Sequence, residues 1–339
     1  MKKMIVSLGL GILIFGIFNF SKNYFTPIYF EIPKGFPKPV YDFSKNPLTE
    51  EGFQLGRNLF YDPILSKDGT ISCASCHLQQ TGFAHVDHDL SHGIDGKVGT
   101  RNSMTLMNLA WSNSFMWDGG VNHLDIQPIH PITSEVEMDE TVENVVVKLQ
   151  KTNKYPNLYQ KAFGSKKITG QFTLKALSQF VLLLQTSNSK YDKVIRKEEN
   201  FSEIEQKGYE LFKQNCASCH REPLFTDGGF KNNGLEMDST LMDLGRMRIT
   251  QKPSDIQKFK VPTLRNVQFT FPYMHDGRFK TLSEVVKHYN TGIIKSETLS
   301  MQLRKPMNLT DNQRTEIIAF LKTLTDNEFL FNPRYGFPK

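Results

Sequence analysis

The chain has 339 residues, of which 39% are hydrophobic and 22% charged, with 23 Gly and 16 Pro. This is the composition of a globular protein of roughly two domains, and it excludes disordered, collagenous and multi-span membrane classes. Lys plus Arg outnumber Asp plus Glu by 41 to 35; without Lys2 and Lys3 the excess is milder still, and the absence of basic clusters excludes a nucleic-acid partner.

Residues 1–20, MKKMIVSLGLGILIFGIFNF, place two lysines before an apolar run, the order of an export signal. Residues 1–24 are therefore expected to be a signal peptide or an N-terminal membrane anchor. Met4 to Phe20 is at the short end of a bilayer span, and no clear small-x-small cleavage site follows. From Phe25 to Asn46, prolines and aromatics predict an extended lead-in, because Pro lacks an N–H and clashes with a preceding helical turn. The stretch LTEEGFQLGRNLFYD has apolar residues at helical spacing and stops at Asp62-Pro63.

The motif CASCH follows at 73–77 and recurs at 216–220, each time behind a helix-like segment. The second copy starts with a capping box, Ser202-x-x-Glu205. With Leu59-Phe60 aligned to Leu211-Phe212, 12 residues precede the first cysteine in one copy and 3 in the other, so the first carries an insertion. Between the copies, VENVVVKLQ and LKALSQFVLLLQ predict buried helices. After the second copy, helices are predicted over Leu282–Tyr289 and behind the cap Thr310-x-x-Gln313. Strand signals are scarce. The polar stretch Lys190 to Asn200 predicts a boundary between domains at 25–195 and 196–339.

In C-x-x-C-H, two thiols add across the haem vinyl groups and the histidine ligates iron. A redox dithiol or a zinc site would use the same residue types. A zinc site, however, needs two further ligands, and the only other cysteines belong to the other copy. The expectation is a mainly α protein of two cytochrome c-like helical domains with two covalently bound haem c groups. Cys73, Cys76 and His77 hold the first haem; Cys216, Cys219 and His220 hold the second.

The segments LGRNLFYDPILSKDGTISCASCH, GTRNSMTLMN, MWDGG, PITSEVEM, DLGRMR, FKVPTLRNV and FPYMHDGRFKTLSEVVKHY run colinearly from about Leu48 to Leu324. Together they resemble the bacterial dihaem cytochrome c peroxidase family, and its MauG-type branch in particular. The resemblance implies a peroxidatic N-terminal haem with Glu137 on its distal face and Gln127 and Pro131 in the same pocket. It places Trp117 between the haems as an electron relay. Arg follows WDG in most of the family, where this chain has Gly120.

Counting 14 residues on from His275 reaches Tyr289, not the methionine of the classical peroxidases. Tyr289 is thus the implied second ligand of the C-terminal iron, with His288, Met274 and Met301 as alternatives. Ile94 stands seven before Arg101, where classical members carry a displaceable histidine, which implies a five-coordinate first haem. His92, His85 and His88 are nearby alternatives. His123 and His130 are read as structural. The resemblance further implies one Ca²⁺ between the haems, held by Asn102 and the carbonyls of Thr270 and Pro272, and haem-propionate contacts from Arg246 and Arg265.

The function so implied is that of a periplasmic peroxidase, reducing hydrogen peroxide with electrons from a small redox protein, a cytochrome c or a cupredoxin. MauG-like oxidation of Trp or Tyr residues on a partner protein is the alternative, and a non-enzymatic dihaem electron carrier is the rival from another class. A homodimer is compatible with the resemblance.

Overall fold

The computed structural model describes residues 25–338. The leader lies outside the described residues, and among those described no helix is long and apolar enough to cross a membrane. The architecture is helical, with one two-stranded antiparallel ladder that pairs Phe230 with Lys260 and Lys231 with Phe259.

Each half is built on a helix pair locked by a glycine. Helix Glu50–Tyr61 is capped by the Thr49 hydroxyl and crosses helix Gly170–Leu182 at Gly56. A Cβ at Gly56 would lie 1.9 Å from the Ala176 carbonyl oxygen and 3.0 Å from Phe180 Cβ. Helix Glu203–Asn215 has the expected Ser202/Glu205 capping box, and helix Asp311–Lys322 the Thr310/Gln313 one. They cross at Gly208, where a Cβ would lie 1.9 Å from the Glu316 carbonyl oxygen and 3.0 Å from Phe320 Cβ. Only glycine allows backbones this close at either crossing. Phe180 and Phe320, both fully buried, centre the two aromatic cores.

The duplication continues in the loops. A constant offset of 158 positions carries Thr105–Asn108 (TLMN) onto Thr263–Asn266 (TLRN), and Met116–Gly119 (MWDG) onto Met274–Gly277 (MHDG). The backbone follows. Asn108 and Asn266 have φ of 56° and 55°, and Met116 and Met274 have 68° and 75°. Phe115 N–H donates to Val121 O at 2.7 Å, as Tyr273 N–H does to Phe279 O. The halves meet reciprocally: Asn102 N–H donates to His275 O and Lys260 N–H to Trp117 O, both at 2.7 Å. Asn102 and Lys260, like Trp117 and His275, are 158 apart, so this is a pseudo-twofold interface.

Helix Lys190–Ile195, expected to close the first domain, sends Tyr191 into the second core. The helix expected over Leu282–Tyr289 is α-helical to Lys287 and widens into a π-turn at His288–Gly292. Such widenings often mark functional sites because they re-aim side chains.

Candidate haem pockets

All four cysteines are free thiols, two per short turn. Burial raises the thiols of Cys73 and Cys216 to about 12 and Cys76 to about 11. These are inert, packed positions rather than an exposed redox dithiol. His77 Nδ1 donates to Phe83 O at 2.8 Å and His220 Nδ1 to Phe225 O at 3.2 Å. Phe83 and Phe225 are again equivalent, both with positive φ and both fully buried. Fixing Nδ1–H on a carbonyl leaves the Nε2 lone pair for a metal. Burial lowers His77 to about 4 and lowers His220 as well, which keeps both imidazoles neutral, as ligation requires.

Around the second motif, a largely apolar cavity of about 370 Å³ is lined by Cys216, Cys219, His220, Val261, Tyr289 and Leu321. Burial pushes the Tyr289 phenol up to about 12, and a hydrogen bond from Asn233 opposes the rise. Of the alternatives to Tyr289, Met301 is 79% exposed and His288 Nε2 already faces Asn233 O at 3.0 Å. Met274 lines the cavity, and its sulfur accepts from Asn233 Nδ2 at 3.4 Å.

Around the first motif, Glu137 is half-buried, and its buried Oε2 has no hydrogen-bond partner. Burial raises its pKa, opposed by the charge of His130, and its own charge reaches both Cys73 and Cys76. Pro131 is brought close to Glu137, whereas the Gln127 side chain meets Met116. Pro131 O accepts from the N–H of Met138, the residue after Glu137, and Gln127 Nε2 lies 3.8 Å from Met116 Sδ. Ile94 is buried, and its N–H donates to Glu137 O at 2.9 Å. The loop docks that closely because Gly93 has no Cβ, which would lie 2.2 Å from Val136 O. His92, two residues before, turns its ring onto His88 in a stack with 4.2 Å between centroids, while its carbonyl oxygen accepts from the Cys76 thiol at 3.5 Å. His123 Nδ1 accepts from Asp125 N–H, a structural bond.

Trp117 lies at the interface, its Nε1–H donating to Asn102 O at 2.9 Å, and it lines the second cavity together with Asn102, Thr270 and Pro272. Asn102 Nδ2 donates to Asp89 O, which leaves its Oδ1 free as a hard oxygen donor.

The two arginines expected at haem propionates both have protein partners. Arg265 is fully buried and forks onto Asp192, with Nη1 and Nη2 at 2.9 and 2.8 Å and Nε on Pro223 O at 2.8 Å. Arg246 stacks 3.9 Å over Phe230 and donates to Asp118 O at 2.9 Å. With glycine at 120, Asp118 takes its arginine partner from the GTRN segment. Arg101 reaches Asp118 at 2.6 Å and grips Asp243 through Nε and Nη2, so one side chain ties both halves. In the second half, Arg278, the counterpart of Gly120, pairs with Asp276 directly.

Two half-buried, thiol-flanked histidines, each with Nδ1 fixed on a carbonyl, fit two covalent haems. The unpartnered Glu137 oxygen fits a pocket open to an oxygen substrate. The fold and its donor sets thus define a dihaem c-type protein whose two halves carry unequal residues around their CASCH motifs.

Comparison with known proteins agrees. Residues 50–200 match the family described as di-haem cytochrome c peroxidase, and residues 205–325 match cytochrome c. The methylamine utilization protein MauG of Methylorubrum extorquens is 34% identical over 307 residues, 87% of this chain and 83% of that one. The cytochrome c551 peroxidase of Nitrosomonas europaea is 34% identical over 81% and 80%. A solved MauG-like protein associated with microbial copper homeostasis superposes with a TM-score of 0.83 at 31% identity, covering 92% of this chain and 99% of that one. The chain belongs to the dihaem cytochrome c peroxidase and MauG family: it is a peroxidase-type oxidoreductase that carries two haem c groups.

Proposed function

We propose that hydrogen peroxide is reduced in the first pocket, over His77, and that electrons arrive through the second haem, held by His220 and Tyr289. When bound, the haems supply the redox equivalents. The protein supplies the asymmetry. The offset of 158 that aligns the halves places Pro131 at the position of Tyr289. A proline side chain has no donor atom and would leave an iron held by His77 without a ligand from this position, whereas the Tyr289 phenol would supply one to an iron held by His220. This exchange is the observation that carries the reading.

Glu137, unpaired and near the open face, takes a proton from the near oxygen of peroxide and returns it to the far one, so that water leaves. Ile94 and Gly93 hold the carboxylate's backbone and exclude a histidine from that side. Trp117, bonded to both halves, conducts between the pockets. One Ca²⁺ binds at Asn102 with the Thr270 and Pro272 carbonyls, and the protein works in the periplasm.

A second reading, oxidation of Trp or Tyr residues on a partner protein, is favoured by Tyr289, because an anionic oxygen ligand stabilises the higher oxidation states of iron. One equivalent of peroxide added to the fully ferric protein, followed by stopped flow through the Soret and near-infrared regions, tests the proposal. A fast Soret change with no prior reduction is expected. No reaction until one haem is reduced would mean that a histidine such as His92 caps the first iron.

A further inference from the structure

Lys260 is the buried charge that neither the fold nor the proposed chemistry uses. It is 8% exposed and lies on the short ladder opposite Phe230. Among the described residues no carboxylate pairs with it; its Nζ reaches only the carbonyl and hydroxyl oxygens of Ser114, with the Phe115 ring 5.8 Å away. Burial pushes its ammonium down to about 8. A buried charge left without a counter-charge is strongly destabilising. Yet Lys260 lines the cavity that Cys216, Cys219, His220 and Tyr289 also line. A haem brings two carboxylates into that space, and the two arginines expected to meet them are already bound to Asp192 and to Asp118 O.

We propose that Lys260 is the anion partner of the cofactor in this pocket, its ammonium pairing with a propionate carboxylate of the haem carried by Cys216 and Cys219. The pseudo-twofold supports the assignment. Lys260 is the counterpart of Asn102, and Ser114 is the counterpart of Pro272. The ammonium on the Ser114 carbonyl therefore occupies the position related by symmetry to the calcium site proposed above. One side of the interface carries a covalent cation where the other side would bind a free one. Lys260 is then a positioning residue for the haem and also biases its chemistry. A fixed positive charge beside the porphyrin favours ferrous iron, so it raises the potential that a tyrosine ligand lowers.

The test uses holoprotein and the variants K260M, K260Q and K260R, each with haem content measured as pyridine haemochrome. Both haem potentials are read by spectroelectrochemistry and the haem propionate bending bands by resonance Raman. In K260M and K260Q the potential of the C-terminal haem falls and a propionate band shifts, while the N-terminal haem keeps its potential; K260R stays close to wild type. If K260M loads fewer than two haems, K260Q, which keeps an amide donor without the charge, decides. Unchanged potentials and bands in a fully loaded K260Q would overturn the proposal, as would a shift confined to the N-terminal haem. The proposal rests on a haem filling this cavity but not on the ligand reading. A wild-type spectrum without a tyrosinate-to-iron band would refute Tyr289 and leave the Lys260 comparison intact.

Discussion

The two halves share a backbone and differ in what hangs from it. Both have a helix crossing at a glycine, a histidine fixed by a buried positive-φ phenylalanine, and an Asn at φ near 55°. On that shared frame the exchanges are Met107 for Arg265, Trp117 for His275, Pro131 for Tyr289 and Asn102 for Lys260. The parts that cost most to rebuild, close crossings and strained turns, are the same in both halves. The residues that touch substrate, cofactor or the other half are free to differ. Under the proposed function, the exchange of Tyr289 for Pro131 and the unpaired Glu137 oxygen are what separate the two copies.

The comparison can be broken at its chemical end first. E137Q removes the proton carrier while keeping the shape, and the rate of reaction with peroxide is expected to fall about 10²–10⁴-fold, the usual contribution of a positioned acid–base group. Stopped-flow rates measure it. The wild-type rate should also rise with pH through the raised pKa of Glu137, since only the carboxylate can accept the first proton. E137Q should lack that rise, and a pH-independent wild-type rate would argue against Glu137 as the base.

The next largest effect concerns Arg265. Replacing it with Met strands Asp192 in the core and is expected to cost about 3–5 kcal/mol, read from denaturant melts of the holoprotein. M107R, its mirror in the other half, has no carboxylate such as Asp192 assigned to meet it and should also destabilise. The Arg265 guanidinium holds Asp192 below the usual carboxylate range, against burial. Its contribution is therefore complete above the ordinary carboxylate pKa and is lost as pH falls through the depressed one. R265M should remove that acid-side loss.

The smallest effect sharpens the symmetry of the frame. G56A and G208A each force a Cβ onto a carbonyl oxygen and should each cost about 1–3 kcal/mol, as overpacking does. Equal losses are expected from the two sites; a tolerated substitution at one would show that the crossings are not equivalent.

Much of this was legible in the sequence. The CASCH pairs, the capping boxes at Ser202 and Thr310 and the end of the first helix at Asp62 are local signals, and each appears where expected. The ion pair of Arg265 with Asp192 spans 73 residues, and nothing local marks it. Likewise Arg101 meets Asp118 from 17 residues before it, with no local signal of the pairing. The duplication of Thr105–Pro131 in Thr263–Tyr289 is hidden because the functional exchanges fall on its most recognisable residues. The conserved part is backbone conformation, which Asn at positive φ hints at and only coordinates display. Lys260 gave no signal because a lysine is ordinarily a surface residue, and its burial is a tertiary fact.

The central claim is that the first iron is open and the second is closed. Low-temperature EPR of the fully ferric holoprotein measures it directly. One high-spin and one low-spin signal of equal weight are expected, with the high-spin signal retained in Y289F. Two low-spin signals in the wild type would contradict the account, because both irons would then carry two strong axial ligands and the protein would be built to carry electrons and not to reduce peroxide.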